Sequence, residues 1–330
     1  LTPGGLEPAD CITIADRLQD ESLVDFFDVS LATYVSPDMQ VSAMNEPSGY
    51  ELRWAEPVAR SRRVPTFVNG RFNTLREAED LLASGVADMV SMVRGLIADP
   101  ELITKSLAGR EDEVRPCIGC NQDCIGGVNK PPPRMGCVVN VNAGWELTAQ
   151  PIGTSERPAR VLVAGGGPSG MEAARTAALR GHRVELHEAG DALGGNMRFA
   201  RRAPYRADIG KIIDFQEREL ERLGVEVHLN SAVDPALAKA RGADHVIVAT
   251  GAEPRRDGLQ RFHLVPVEGA DLPHVRSPVD VLGGLADGAK HAVIVDDLGT
   301  FQAVTVAEYL LASFLHLNMI SFGGGALLRC

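Results

Sequence analysis

The sequence predicts an α/β protein in which two strand–helix regions flank a cysteine-rich loop segment. Three observations lead there. Residues 1 to about 110 alternate short runs rich in Val and Phe with amphipathic stretches of helix length, the pattern of parallel strands joined by helices. Between 111 and about 158 that alternation stops, and cysteine, glycine and the triple proline Pro131-Pro132-Pro133 dominate. At Arg160 a strand runs into closely spaced glycines and then a helix, and further strands follow.

In chain order, an amphipathic stretch Cys11 to Gln19 precedes a strand within Leu23 to Leu31 (LVDFFDVSL). Val64 to Asn69 is a second short buried strand, Arg76 to Ser84 a helix with Ala78, Leu81 and Leu82 on one side, and Ala87 to Met92 a third strand. A helix follows from Pro100. In the second region the predicted strands are Arg160 to Ala164, Val184 to Glu188, Val225 to Leu229, His245 to Ala249 and His291 to Val295. A helix runs from about Ser169 to Arg180, closed by Gly181. The expected domains are therefore 1–110, 111–158 and 159–330, which suits a chain of 330 residues.

Composition narrows the function. With 45% hydrophobic and 23% charged residues the chain reads as globular, and a net charge of -11 argues against a nucleic-acid partner. The short arginine groups Arg60 to Arg63 and Arg201 to Arg206 read as solvated faces. No apolar run has the length of a membrane span, and the first residues lack the pattern of a signal peptide, so a cytoplasmic location is expected. Four of the six cysteines fall within 21 residues, which points to a metal site and away from a disulfide scaffold.

The cysteine pattern is Cys117-x2-Cys120-x3-Cys124-x12-Cys137. Three close thiols let one loop wrap a cluster, and a distant fourth closes the site. Structural zinc also takes four thiolates, but it more often pairs two short knuckles. An iron–sulfur cluster of the 4Fe–4S type is the favoured ligand, zinc the alternative, disulfides third. Cys11 and Cys330 stand apart and read as ordinary thiols.

Gly165-x-Gly167-x-x-Gly170 follows the strand Val161-Leu162-Val163 and opens a helix, with Ser169 in its first turn. In such a turn the first glycine permits the bend, the second lets backbone approach a pyrophosphate, and the third lets helix and strand pack closely. The helix N-terminus faces the phosphates, and Glu188, at the end of the next strand, is placed to bind the adenosine ribose. Gly194-Gly195 and the strand end Ala249-Thr250-Gly251 look like flavoprotein reductase motifs, which favours FAD (or ADP) as the nucleotide. A second nucleotide-type module begins at Val293-Ile294-Val295-Asp296-Asp297-Leu298-Gly299. Its two acids would repel a pyrophosphate, so NAD(P)H there competes with a purely structural role.

These stretches resemble one family. Val68-Asn69-Gly70-Arg71, Ala87 to Arg94, Ala98-Asp99-Pro100 and Arg115 to Gln122 are similar to the end of the flavin barrel and the cluster loop of old yellow enzyme relatives with a fused reductase half. These are the NADH:flavin oxidoreductases of 2,4-dienoyl-CoA reductase and trimethylamine dehydrogenase type. The resemblance implies the C-terminal part of an FMN-binding TIM barrel, the 4Fe–4S segment, and a Rossmann-like FAD domain with a partial second module. It implies an FMN phosphate held by Gly70, Arg71, Val93 and Arg94 at the ends of the last two barrel strands. Only about three barrel strands fit before the cysteines, so the first part of the barrel is expected to be missing. In the loop after the first predicted strand, Tyr34 is the candidate proton donor.

The function implied is electron passage between FMN and FAD through the cluster, coupled to an unsaturated carbonyl compound or an N-methylated amine. NAD(P)H and an electron-carrier protein are candidate partners. Two alternatives remain: an electron-transfer module with FAD and cluster but no substrate site, and a zinc-bound structural fragment.

Overall fold

The computed structural model describes residues 4–31, 35–128, 130–148, 152–260, 265–285, 288–312, 316–321 and 327–329. Its chain divides into two compact units, Leu1–Pro151 and Ile152–Cys330. Among the described residues no helix is long and apolar enough to cross a membrane.

The first unit is built on three short parallel strands, β1 (Phe27–Val29), β2 (Thr66–Val68) and β3 (Met89–Val90), side by side in that order. Helices Pro8–Asp20, Leu52–Arg60 and Leu75–Ala83 alternate with them. Leu75–Ala83 starts where the sequence offers a reciprocal cap: the Thr74 hydroxyl accepts from the Glu77 N–H while the Glu77 carboxylate accepts from the Thr74 N–H. Ala55 and Ala59, one helical turn apart, bring Leu52–Arg60 close to the sheet, and Ala59 and Val68 are fully buried. Phe72, Ala78, Leu81, Val86, Ala87 and Leu102 complete this core.

The sequence pattern does not announce Leu52–Arg60. Pro57 sits inside it, which removes a backbone donor and lowers helix propensity. The strands are shorter than the apolar runs that contain them. Residues such as Leu23 and Phe26 extend the run in sequence yet stand exposed before β1 begins.

In the second unit β4 (Arg160–Ala164), β5 (Arg183–His187), β6 (Glu226–His228) and β7 (His245–Val248) form a parallel sheet in the order β6-β5-β4-β7. Val161, Leu162, Val163, Val184 and Leu186 are buried, as are Met171 and Ala174 of helix Pro168–Leu179 and Ile212, Phe215 and Leu220 of helix Gly210–Arg222. The chain leaves β4 on one side for β5 and β6, and returns on the other side as β7. That reversal opens a crevice at the carboxyl ends of β4 and β7, the place where such sheets bind ligands.

A separate sheet, β8 (His291–Asp296), β9 (His316–Ser321) and β10 (Leu327–Arg329), follows in the order β10-β9-β8. β8 and β9 are parallel, and β10 is antiparallel to β9. Val306 and Leu310 of helix Phe301–Leu311 pack with Val281 and Leu317 against it.

Candidate redox site

The four clustered cysteines of the first unit line one cavity together with Arg94, Ile97, Ile118, Asn121 and Asp123. The loop that carries them is pinned along its length. Asp99, at the end of helix Val93–Ala98, accepts from the Arg115 N–H at 2.8 Å and from Lys105 Nζ at 2.7 Å, so the loop starts from a fixed point. In its middle, Arg94 Nη1 donates to Asn121 Oδ1 at 2.8 Å and to the Ser42 carbonyl at 2.6 Å. Asn121 holds a left-handed backbone (φ 54°) and donates in turn to the Val41 carbonyl. At the far end, Asn140 Nδ2 donates to the Ile97 carbonyl at 2.9 Å. Gly136, just before Cys137, lies close against Asp123, whose carboxylate would have to shift for an added Cβ, which would stand 2.5 Å from Oδ2.

All four thiols are unbridged and half-buried. Burial pushes Cys117, Cys120 and Cys137 up, Cys120 to about 11, and the neighbouring sulfurs push in the same direction. Backbone N–H groups partly offset this: Gly119 donates to Cys117 Sγ at 3.4 Å, and Val139 and Asn140 donate to Cys137. Thiols so placed stay neutral alone and become thiolates only on a cation. Four thiol donors around one cavity suit either a structural zinc or an iron–sulfur cluster.

Gly70 and Arg71 follow β2 with positive φ (155° and 66°), and the Arg71 guanidinium donates to the Glu46 carbonyl. It also lies beneath the cysteine loop, where a Cβ on Gly119 would come within 3.1 Å of Nη2. Val93 and Arg94 open helix Val93–Ala98, so their N–H groups have no partner within the helix. Both arginines thus reach toward loop carbonyls and the cysteine segment. Tyr34 lies outside the described residues.

Sequence reasoning assigned no role to Asp99, Asn121 or Asn140, although the first two lie inside the family-like stretches. It also passed over Glu51. That side chain is buried, accepts from the Leu31 N–H at 2.7 Å, and its carboxyl is raised above the usual range by burial. Leu31 follows β1 closely in the chain, at its carboxyl end. A glutamate at the start of a helix offers no pattern from which such burial could be read.

In the second unit the glycine turn sits at the crevice between β4 and β7. Gly165 has φ 109°, and a Cβ there would strike the Ala249 carbonyl and come within 3.0 Å of Thr250 Cα. A Cβ on Gly170 would strike the Gly165 carbonyl. Gly167, the residue before helix Pro168–Leu179, has only Gly195 Cα near its Cβ position, at 4.0 Å. Two glycines therefore serve backbone packing, and the middle one leaves open ground at a helix N-terminus, next to Ser169 in the first turn. Glu188 follows β5 and accepts from the N–H groups of Gly166 and Gly190, both at 2.7 Å, so its carboxylate is held against the glycine turn. Gly251 lies just beyond β7 with nothing near its Cβ position.

The sequence model of pyridine nucleotide-disulphide oxidoreductases matches residues 142–269. The chain is 35% identical to the NADH oxidase of Thermoanaerobacter brockii over 92% of its own length and 48% of that protein's. Its relatives resemble the NADH:flavin oxidoreductase, old yellow enzyme-like family with a fused reductase half, and this chain is similar to part of such proteins. Homologues in this family are flavin-dependent oxidoreductases. The chain spans about half the length of the curated relatives it matches. Among solved structures, the 6-hydroxypseudooxynicotine amine oxidase of Pseudomonas geniculata N1 aligns with a TM-score of 0.86 at 31% identity, over 94% of this chain and 46% of that one. A 2-naphthoyl-CoA reductase in complex with 2-naphthoyl-CoA aligns with a TM-score of 0.84 at 29% identity, over the same shares.

Proposed function

We propose that this chain carries the cluster-binding and adenine-dinucleotide-binding parts of an iron–sulfur flavoprotein oxidoreductase. The observation that carries the reading is the thiol cavity. Four cysteines share it, burial pushes Cys117, Cys120 and Cys137 up so that a bound cation is what would ionise them, and three close thiols with one distant suit a cluster better than the paired knuckles of zinc. A 4Fe–4S cluster bound by Cys117, Cys120, Cys124 and Cys137 supplies one-electron steps between FMN and FAD, each of which holds one or two.

The residues divide the remaining work. Gly167, Ser169 and the N-terminus of helix Pro168–Leu179 receive the FAD pyrophosphate, Glu188 takes the ribose hydroxyls, and Gly195, Ala249, Thr250 and Gly251 border the crevice. Gly165 and Gly170 shape the turn. In the first unit, taken as the end of a TIM barrel, the backbone of Gly70, Arg71, Val93 and Arg94 receives the FMN phosphate. The positive charge of Arg94, which favours ionised Cys117, steadies the thiolates beside it.

The whole protein's substrate class is an unsaturated carbonyl compound or a methylated amine, in line with the reductase and amine oxidase that the chain resembles. The turn after β8 bears on the electron source. Asp296 accepts from the N–H groups of Leu298 and Gly299 at 3.1 and 2.9 Å, so the acid itself fills the position a pyrophosphate would take. That favours an electron partner other than NAD(P)H at this turn, such as a carrier protein.

Metal and flavin analysis of anaerobically purified chain tests the reading. We expect about four irons, little zinc, and bound FAD. Cys124→Ser is expected to bleach the broad visible absorption and lower iron content. Stoichiometric zinc in place of iron sinks the cluster assignment, and FAD without FMN supports an electron-transfer module with no substrate site.

A further inference from the structure

The edge of the four-stranded sheet in the second unit holds a side-chain cluster that none of this chemistry uses. Glu185 and His187 are two residues apart on β5, so the strand's alternation places both on one face, opposite the core residues Val184 and Leu186. Parallel pairing sets His187 beside His228 of β6, with ring centroids 4.5 Å apart and nearly parallel planes. Glu185 Oε2 lies 3.5 Å from His187 Nε2 and 4.0 Å from His228 Nε2, and the three ligand atoms all fall within 4.8 Å of one another. Each of these three atoms is buried and without a hydrogen-bond partner among the described residues. The His187 side chain is completely buried.

Three buried polar atoms that converge with only long contacts of 3.5 Å or more to one another and to Arg241 are incompletely satisfied, and a group that engages all three would repay part of their desolvation. The one hydrogen bond His187 does make prepares its ring for a ligand. Nδ1 lies 2.9 Å from Ser231 Oγ, and with Nδ1–H donating there, Nε2 presents its lone pair toward Glu185. Arg241 Nη1 stands 3.5 Å from the same Glu185 oxygen, but its side chain is 41% exposed and free to swing outward.

We propose that Glu185, His187 and His228 bind one divalent transition-metal ion of the zinc, nickel or cobalt class. Imidazole and carboxylate donors suit these ions. Bond lengths near 2.0–2.2 Å in a tetrahedral shell separate donors by about 3.4 Å, so Glu185 and His187 already stand at that spacing and the His228 ring must move in by about half an ångström or more. Water would complete the shell. The ion ties β5 to β6 immediately before Glu188, whose N–H donates to the His228 carbonyl at 2.9 Å, and so braces the strand end that presents the ribose-binding acid. The site is independent of the cluster and flavin assignments.

The test is nickel binding to the tag-free full chain, read by equilibrium dialysis and by the melting temperature. The wild type is expected to hold one more equivalent of Ni2+ than His228→Gln, and to melt higher with Ni2+ while the variant does not. His228 is only partly buried, so its replacement leaves the fold in place, and the cysteine loop is common to both proteins and cancels. Glu185→Gln is expected to weaken the extra site about tenfold or more. Equal nickel content and equal melting shifts in the wild type and both variants overturn the proposal.

Discussion

Gly167 and Gly170 lie three residues apart in the same turn, yet an alanine at each does different damage. At Gly170 a methyl group meets the Gly165 carbonyl, and the helix must move off the strand. Overpacking of this kind costs about 1–3 kcal/mol, so Gly170→Ala is expected to lower the urea midpoint visibly. At Gly167 the methyl group meets nothing closer than Gly195 Cα at 4.0 Å. Gly167→Ala should therefore fold as the wild type does and lose bound flavin. Full flavin occupancy in that variant would show that the pyrophosphate does not approach here. These roles are legible in the sequence because each glycine answers a demand set within a few residues. The partners of Arg94 are not, since its contacts with Ser42 and Asn121 span 52 and 27 residues.

Helix ends show the same division between local and distant causes. Ser277 and Asp280 form a reciprocal cap on the short helical stretch from Pro278, with the Ser277 N–H donating to Asp280 Oδ2 at 2.9 Å. A second pair of contacts comes from Arg256, whose guanidinium grips both Asp280 oxygens at 2.9 and 2.8 Å. Arg256 first, and then the Ser277 N–H, hold the Asp280 carboxyl well below the usual carboxylate range. A folded-state pKa below the unfolded value stabilises fully above about pH 4 and fades as the pH falls through the folded value. Asp280→Asn is expected to cost about 1 kcal/mol at pH 7, with the difference from wild type shrinking in melts taken below about pH 4. The cap is readable as Ser-Pro-Val-Asp, whereas the Arg256 clamp closes only in the fold. Helix Leu52–Arg60, with Pro57 inside it, was illegible for the opposite reason: tertiary burial of Ala55 and Ala59 overrides a poor local propensity.

For the molecule as a whole, β8 packs on one side only among the described residues. Ala292 and Ile294 of β8 pack against the cluster that includes helix Phe301–Leu311, while Val293 and Val295 on the other face are 60% and 53% exposed. Exposed apolar strand faces promote association. Val293→Thr combined with Val295→Thr is expected to reduce concentration-dependent light scattering of the purified chain and to leave its melting temperature little changed. Unaltered scattering would place the association elsewhere. The α/β class and the parallel strands were legible from alternating runs of apolar residues, and the cysteine and glycine motifs from their spacing. What no spacing conveys is how the cysteine segment is fastened.

That fastening has a consequence for biogenesis. Asp99, Arg94 and the Ile97 carbonyl all belong to one short stretch of chain, and each secures a different part of the cysteine loop. Should the proposed cluster bind here, these hydrogen bonds, none of which involves iron, would limit the freedom that the ends of the loop lose as the cluster forms.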